Sequence, residues 1–404
     1  MLLEAVSWQD GRCGPGPLPV DLMLHLPPLY PLTDASLPVP LAQQIRELGA
    51  AGFPLVQFRG KPVDARSQGL ELVTALREAQ ARGGWPAICV NDRADLAVLA
   101  AQEGLAPWGL HLGQGDLPPG VARALPGLAA LHLGTSTHGP EEWARVDPAC
   151  DHAGIGPVRA TATKGDHAPP VGLDGLALGC AALRGRNVAP VAIGGLTAAD
   201  FSAGFAAGAE ALAMVGAVAR AADPGDLLWA AQVERWRVRP PVARGQGVVL
   251  IGGSGAGKST LAQALAPALG LGARDSDLAV VARTGASIAE LFQALGEPGF
   301  RALEAESARA ALATPGVLAL GAGAWEDPAT REAARQAGFA VLWLAEVPER
   351  AWARVAGDPA RPLAGSREAF LARWAQRMIR WREEPGLYPL GRPVAELVGA
   401  LLGR

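Results

Sequence analysis

Short apolar runs, each ending in small or polar residues, recur through the first half of the chain: LYPLTD from Leu29, LVQFRG from Leu55, AICVND from Ala87, LHLG from Leu110, LHLGTS from Leu131, AGIGPV from Ala153, VAPVAIGG from Val188 and ALAMVGA from Ala211. Between most of them lie stretches with helical spacing of apolar positions and flanking glycines, such as SQGLELVTALREAQARG and AADFSAGFAAGAE. Eight strand-helix units in this order predict a parallel (β/α)8 barrel, with its active site where the polar residues gather, at the C-terminal ends of the strands. The pattern then breaks at ERWRVRPPVARGQG, where adjacent prolines and arginines predict a linker over 236–246. A new apolar strand, VVLIGG, opens a second α/β unit. The expected organisation is an N-terminal extension 1–21, a barrel 22–235, the linker, and a second α/β domain with a parallel sheet over 247–404.

Composition changes this picture little. At 404 residues, half of them apolar, the chain has material for two cores. A net charge of −3 with both signs interspersed gives no footprint for nucleic acid or an acidic membrane surface. The apolar runs are too short to cross a membrane, the N-terminus lacks a basic leader, and the four cysteines form no CxxC pair. The expectation is a cytoplasmic, soluble protein acting on small molecules, with its oligomeric state unspecified.

Lysine is the informative residue. Only Lys61, Lys164 and Lys258 occur, against thirty-three arginines, and each sits in a motif suited to phosphate. A compact ammonium on a thin stem reaches a phosphoryl oxygen where a planar guanidinium does not fit. Lys258 belongs to GGSGAGKS, Gly252 to Ser259, placed after a strand and before the helical stretch TLAQALAPALG. That context reads as a P-loop, in which Gly252, Gly255, Ala256, Gly257 and Thr260 wrap the ATP phosphates with backbone N–H groups. Lys258 bridges the β and γ phosphates and Ser259 ligates Mg²⁺.

The stretch GARDSDLAVVARTGASIAELFQALGEPGFRALEAE resembles shikimate kinase in its Asp-x-Asp and its G-x-S-I-x-E-x-F, G-E, F-R, E series. The resemblance extends over about 247–395. It implies that Asp275 organises the magnesium shell, Asp277 accepts from a substrate hydroxyl, Arg301 holds a carboxylate, Gly323 lies against the substrate, Arg361 is a lid arginine at the nucleotide, and Arg382 of WREEPGLY binds substrate. Helix capping is the plainer reading of Asp275 and Asp277. The glycine triplet of the family reads Gly321, Ala322, Gly323 here, and two extra residues separate Arg382 from Leu387 and Tyr388.

The barrel's strand ends, QFRGK, VNDRADLA, HLGQGD, LGTSTH, GIGPVRATATKGD, AIGG and MVGA, resemble thiamine-phosphate synthase across about 22–225. That family joins hydroxymethylpyrimidine pyrophosphate to thiazole phosphate. The resemblance implies Mg²⁺ on Asp92 and Asp116, substrate donors from Gln57, Arg59, Lys61, Asn91, Ser136 and Lys164, and a phosphate site from Thr161, Thr163, Gly194, Gly195, Val215 and Gly216. Arg59, Lys61 and Lys164 are the expected catalytic cations, since a departing pyrophosphate gathers charge that must be offset. Taken alone, Asp92 could equally cap the following helix, and His111, His132 and His138 read as structural. Departures are Gly60, where the family has an acid, and Arg159-Ala160, where an aromatic-Pro pair is common.

The two resemblances together imply a bifunctional enzyme using Mg²⁺ and ATP, its kinase half acting on shikimate. Two alternatives stay open: phosphorylation of a thiamine-precursor alcohol, and a non-catalytic binding or regulatory role for one half. Retention of lysine in an arginine-rich chain argues against the last.

Overall fold

A computed structural model describes residues 23–61, 63–161, 168–358 and 365–404. The expected extension over 1–21, and the expected site residues Thr163, Lys164 and Arg361, lie outside the described residues.

Eight parallel strands form the first sheet: β1 (Leu29–Pro31), β2 (Leu55–Phe58), β3 (Ala87–Asn91), β4 (Gly109–Leu112), β5 (His132–Thr137), β6 (His152–Ile155), β7 (Ala189–Ile193) and β8 (Ala211–Met214). From β2 to β8 each pairs with its neighbour in sequence, β8 returns to β1, and the bridge Leu32 to Gln57 nearly closes the ring. Alternation along each strand builds two layers. Tyr30, Leu55, Ala87, Cys89, Val191 and Ala213 fill the barrel interior. Val56, Phe58, Ile88, Val90 and Leu212 face the surrounding helices. The predicted barrel is therefore present, with its helices in the expected connections.

The second sheet is also parallel, in the order β10 (Ala273–Asp275), β11 (Val317–Ala319), β9 (Val248–Ile251), β12 (Ala340–Leu344), β13 (Gly386–Leu387). Central β9 is buried along its whole length and delivers the chain to the P-loop at the sheet's C-terminal edge.

The joint departs from expectation. The segment expected as a linker from 236 is helical to Val238, the end of the helix Pro224–Val238. Arg235 Nη1 donates to the Leu26 and Glu210 carbonyls, at 2.7 and 3.3 Å, and Trp236 is buried, so the last turn is held from both sides. Pro240 and Pro241 follow, and proline cannot continue a helix. The halves also pack closely. Gln232 accepts from Tyr388 N at 2.8 Å and donates to Tyr388 O at 3.3 Å, and Trp85 meets Trp343 edge to face at 6.3 Å. One continuous apolar core runs from the barrel's outer layer into the kinase half. Among the described residues, no single helix is long and apolar enough to cross a membrane.

Candidate active sites

At the barrel mouth, the loop after β2 carries Lys61 to Asp92, Nζ to Oδ2 at 2.5 Å. Asp92 does not cap the helix Ala94–Gln102, whose N-cap is Arg93. Its backbone is left-handed (φ 63°), its N–H is bound to the His111 carbonyl at 2.8 Å, and its side chain is thereby turned into the mouth. Asp116 comes from the loop after β4, where its Oδ2 accepts from Gly113 N at 2.7 Å. The two carboxylates share one environment. Burial works against the Asp92 charge, but hydrogen bonds from Lys61 and Asp116 and the Lys61 charge hold its carboxyl below the ordinary range. Burial and the neighbouring Asp92 charge raise that of Asp116, against the pull of the Gly113 N–H. Two hard oxygen donors side by side next to a lysine fit a divalent cation such as Mg²⁺, which takes one or two carboxylates and leaves its other positions to phosphate and water. Among the described residues no group of three or more His, Cys, Asp or Glu forms a denser cluster.

The neutral donors stand around this pair. Gln57 is buried inside the barrel, with Nε2 3.4 Å from Tyr30 Oη. Asn91 ends β3 in register with His111 of β4. Arg59 follows β2, its backbone clamped by the Thr33 hydroxyl, which accepts from Arg59 N at 2.8 Å and donates to Arg59 O at 3.0 Å. His111 Nε2 lies 3.0 Å from Ser136 Oγ, and its Nδ1 lies 3.4 Å from Nε2 of the fully buried His152. Burial pushes the His111 imidazole down to about 4, so it is neutral at physiological pH and acts as a hydrogen-bonding prop. A β-carbon at Gly134 would strike both imidazoles, which explains glycine there. His132 stacks on Trp108 at 4.4 Å and His138 pairs with Glu142 at 3.1 Å.

Across the mouth, Gly194 and Gly195 turn with positive φ (98° and 67°) after β7, and Val215 and Gly216 follow β8. Thr161 is the last described residue before the 162–167 stretch. Both departures from the family pattern have partners. The Gln68 side chain occupies the space that a β-carbon at Gly60 would need, and Arg159 pairs with Asp200 at 2.9 Å.

In the second half, Lys258 Nζ donates to the carbonyls of Gly252 and Gly253 at 2.8 and 2.9 Å, poised along its own loop. Gly252, Gly255 and Gly257 all hold positive φ, so the curl that Ala256 and Thr260 share is one only glycine adopts freely. Asp275 meets both readings of it. Oδ1 caps the helix Ser276–Thr284 by accepting from Asp277 N at 2.9 Å, while Oδ2 accepts from the Ser259 hydroxyl at 2.6 Å. Asp277 leans on Gly321 beside Glu304, and a β-carbon at Gly321 would collide with both carboxylates. Arg301 Nη1 pairs with the buried Glu304 at 2.5 Å and Nη2 with Glu297 at 3.1 Å, and the guanidinium lies over Phe292 and Phe300. A β-carbon at Gly323 would strike that guanidinium, so the triplet's outer glycines are the two that must stay bare.

Arg382 is not in this site. Its Nη2 donates to the Gly84 carbonyl of the barrel at 2.9 Å, because the helix Arg367–Trp381 turns that position away from Arg301. A residue missed from the sequence stands nearby. Arg377, 12% exposed, bonds Glu326 Oε2 through Nε at 3.2 Å. Burial and then the Arg301 charge lower its pKa, and its partner Glu326 ends the short turn Ala324–Glu326 that follows Gly323, the glycine lying against the Arg301 guanidinium. The signal was present: position 377 shares a helical stripe with Phe370, Trp374 and Trp381, an arginine among aromatics.

The family model described as thiamine monophosphate synthase matches residues 29–218, and the one described as shikimate kinase matches 254–386. A thiamine-phosphate synthase of Chloroflexus aurantiacus is 39% identical over 199 residues, which is 48% of this chain and 86% of that protein. One from Gloeobacter violaceus is 41% identical over 177 residues, 44% of this chain, and the chain spans about half (48%) of that relative's length. A solved shikimate kinase from Acinetobacter baumannii in complex with shikimate aligns with 42% of this chain and 94% of its own, at 29% identity and a TM-score of 0.37.

Proposed function

Since the chain belongs to the thiamine-phosphate synthase family through its N-terminal half, we propose that this barrel joins hydroxymethylpyrimidine pyrophosphate to thiazole phosphate, and that the fused shikimate kinase-like domain phosphorylates shikimate. Both halves are then transferases, acting in the cytoplasm.

In the barrel, the bond that breaks joins the pyrimidine methylene carbon to pyrophosphate oxygen, and the bond that forms joins that carbon to the thiazole nitrogen. Charge builds on the leaving oxygen, so cations around it lower the barrier more than they stabilise the bound substrate. Arg59, Lys61 and Lys164 supply them, with Asn91 as a neutral donor. Asp92 and Asp116 would hold Mg²⁺, which when bound neutralises phosphate charge. Gln57 and Ser136 orient the pyrimidine, Ser136 being steadied by His111. Thr161, Thr163, Gly194, Gly195, Val215 and Gly216 receive the thiazole phosphate. The observation that carries this reading is the convergence of Lys61, Asp92 and Asp116 from three loops on one point. An assay of product formation with and without Mg²⁺ tests it: turnover should require the cation.

In the kinase half, Asp277 accepts the acceptor hydroxyl's proton as Lys258 offsets charge on the β and γ phosphates. Ser259 and Asp275 would share a second Mg²⁺. Arg301 and Arg377 together make an anion site beside Asp277, and this pair favours a carboxylate acceptor over a neutral thiamine-precursor alcohol. The test is steady-state transfer from ATP to shikimate and to the thiazole alcohol. Shikimate should be the better acceptor, and Arg301→Ala should weaken its use by about 30-fold or more through loss of a charge-assisted pair. Transfer to the alcohol alone would overturn the assignment.

A further inference from the structure

The helix Arg367–Trp381 carries two adjacent stripes with 4-3-4 spacing. Phe370, Trp374, Arg377 and Trp381 face the kinase interior. Trp374 packs against Gly253 of the P-loop so closely that a β-carbon there would strike its ring, and the three aromatics follow one another at 5.5 Å, Phe370 tilted against Trp374 and Trp374 edge-on to Trp381. Leu371, Ala375, Met378 and Arg382 form the other stripe, about 100° round the axis, and face the barrel. Leu371 lies over Gly83, Ala375 and Met378 lie over Gly84, and Arg382 binds the Gly84 carbonyl at 2.9 Å, with that of Pro54 at 3.5 Å. One helix is thus wedged between the kinase's acceptor site and a turn of the barrel.

Arg382 is an unusual adhesive. Its Nε is sealed from solvent without a partner, and among the described residues no carboxylate pairs with it. Burial pushes its pKa down to about 10. A charge held only by carbonyls contributes little net attraction, but it is directional: the guanidinium meets Gly84 O at one rotation of the helix and not at others. That same rotation puts Arg377, five residues earlier, on Glu326, in the short turn that follows Gly323, and Gly323 lies against the Arg301 guanidinium. Packed interiors transmit such constraints because they do not deform continuously.

We propose that the barrel is a working part of the kinase's acceptor site: Arg382, held by the barrel's 83–86 turn, is a positioning residue that fixes the rotation of the Arg367–Trp381 helix and so the approach of Arg377 to the acceptor carboxylate. This rests on the reading of Arg301 and Arg377 as a carboxylate site.

The test uses the full chain with Arg382→Met, Arg382→Lys, Arg377→Met and the double variant Arg382→Met/Arg377→Met, in steady-state transfer from ATP to shikimate. Arg382→Met should raise the KM for shikimate about tenfold, with kcat, the KM for ATP and the synthase activity each within about twofold of wild type. Arg382→Lys should recover most of the loss, and the double variant should be no worse than Arg377→Met alone. An unchanged shikimate KM, a parallel rise in the KM for ATP, or losses that multiply in the double variant would each overturn the proposal. Should Arg382→Met fail to fold, Met378→Ala trims the same seam and must give the same selective rise, or the proposal falls. If the wild-type protein leaves shikimate untouched, the acceptor reading has failed. Amide exchange then reads the positioning claim separately: exchange in the Arg367–Trp381 helix should quicken about tenfold or more in Arg382→Met relative to wild type. Equal exchange would overturn it.

Discussion

On the proposed function, the two halves solve one problem, holding phosphate, in opposite ways. The P-loop does it with one contiguous segment: Gly252 to Ser259 carry the glycines, the lysine and the hydroxyl proposed for Mg²⁺, and Asp275 reaches in from elsewhere to that hydroxyl. The barrel gathers Lys61, Asp92 and Asp116 from loops after three different strands, and no two are neighbours in sequence. The resting lysines differ in the same sense. Lys258 lies along carbonyls of its own loop, while Lys61 is paired with a carboxylate from another. A site built from one segment inherits its geometry from backbone, whereas a site built from several strand ends inherits it from the barrel, and is only as good as the barrel's closure.

That contrast can be broken most sharply at Asp277, which lies outside the P-loop. Asp277→Asn should cut phosphoryl transfer by about 1,000-fold with little change in the KM for ATP and none in synthase turnover, because a misplaced proton acceptor costs that much. In the barrel, Asp116→Asn should lower synthase turnover by about 100-fold and weaken its response to Mg²⁺, leaving transfer intact. Near-native synthase activity in that variant would remove Asp116 from the site.

Acid should separate the halves by stability. Glu210, at the foot of β8, sits among His25, Arg184, Arg235 and Arg239. Burial opposes its charge, but these neighbours bring its pKa down from 4.5 to about 2. A depressed carboxyl contributes fully above its unfolded value and loses that contribution as pH falls through the folded one. Roughly 3 kcal/mol of barrel stability should therefore disappear between about pH 4.5 and pH 2. Denaturant unfolding followed by barrel and kinase probes across this range, with Glu210→Gln flattening the barrel's curve, checks it. The smallest effect is expected at Gly134→Ala. The new methyl group meets His111 and His152 and should cost about 1–3 kcal/mol by overpacking, seen as a lower unfolding midpoint.

Legibility followed the same contrast. The P-loop could be read whole because its residues are adjacent and its glycines are forced by positive φ. The barrel's eight strands were legible from their terminating polar residues, and Asp92 from its place in VND, although its left-handed backbone, the feature that separates it from a helix cap, cannot be read from residue type. Arg382 misled because two inserted residues shift the helix end, and only the packed helix reveals that 377 turns inward and 382 outward. The joint misled for a related reason. RWRV looks like polar linker, yet Arg235 and Trp236 are spent on tertiary partners, a carbonyl pair and the shared core, that no local pattern records.

The central claim is that one packed chain carries two working phosphate sites with separate chemistry. It is tested most directly by assaying both activities on the same preparations of Lys61→Ala and Lys258→Ala. A clean crossover is expected: Lys61→Ala loses synthase turnover by about 100-fold and keeps phosphoryl transfer, while Lys258→Ala does the reverse. Loss of both activities in either variant, or of neither, would contradict it.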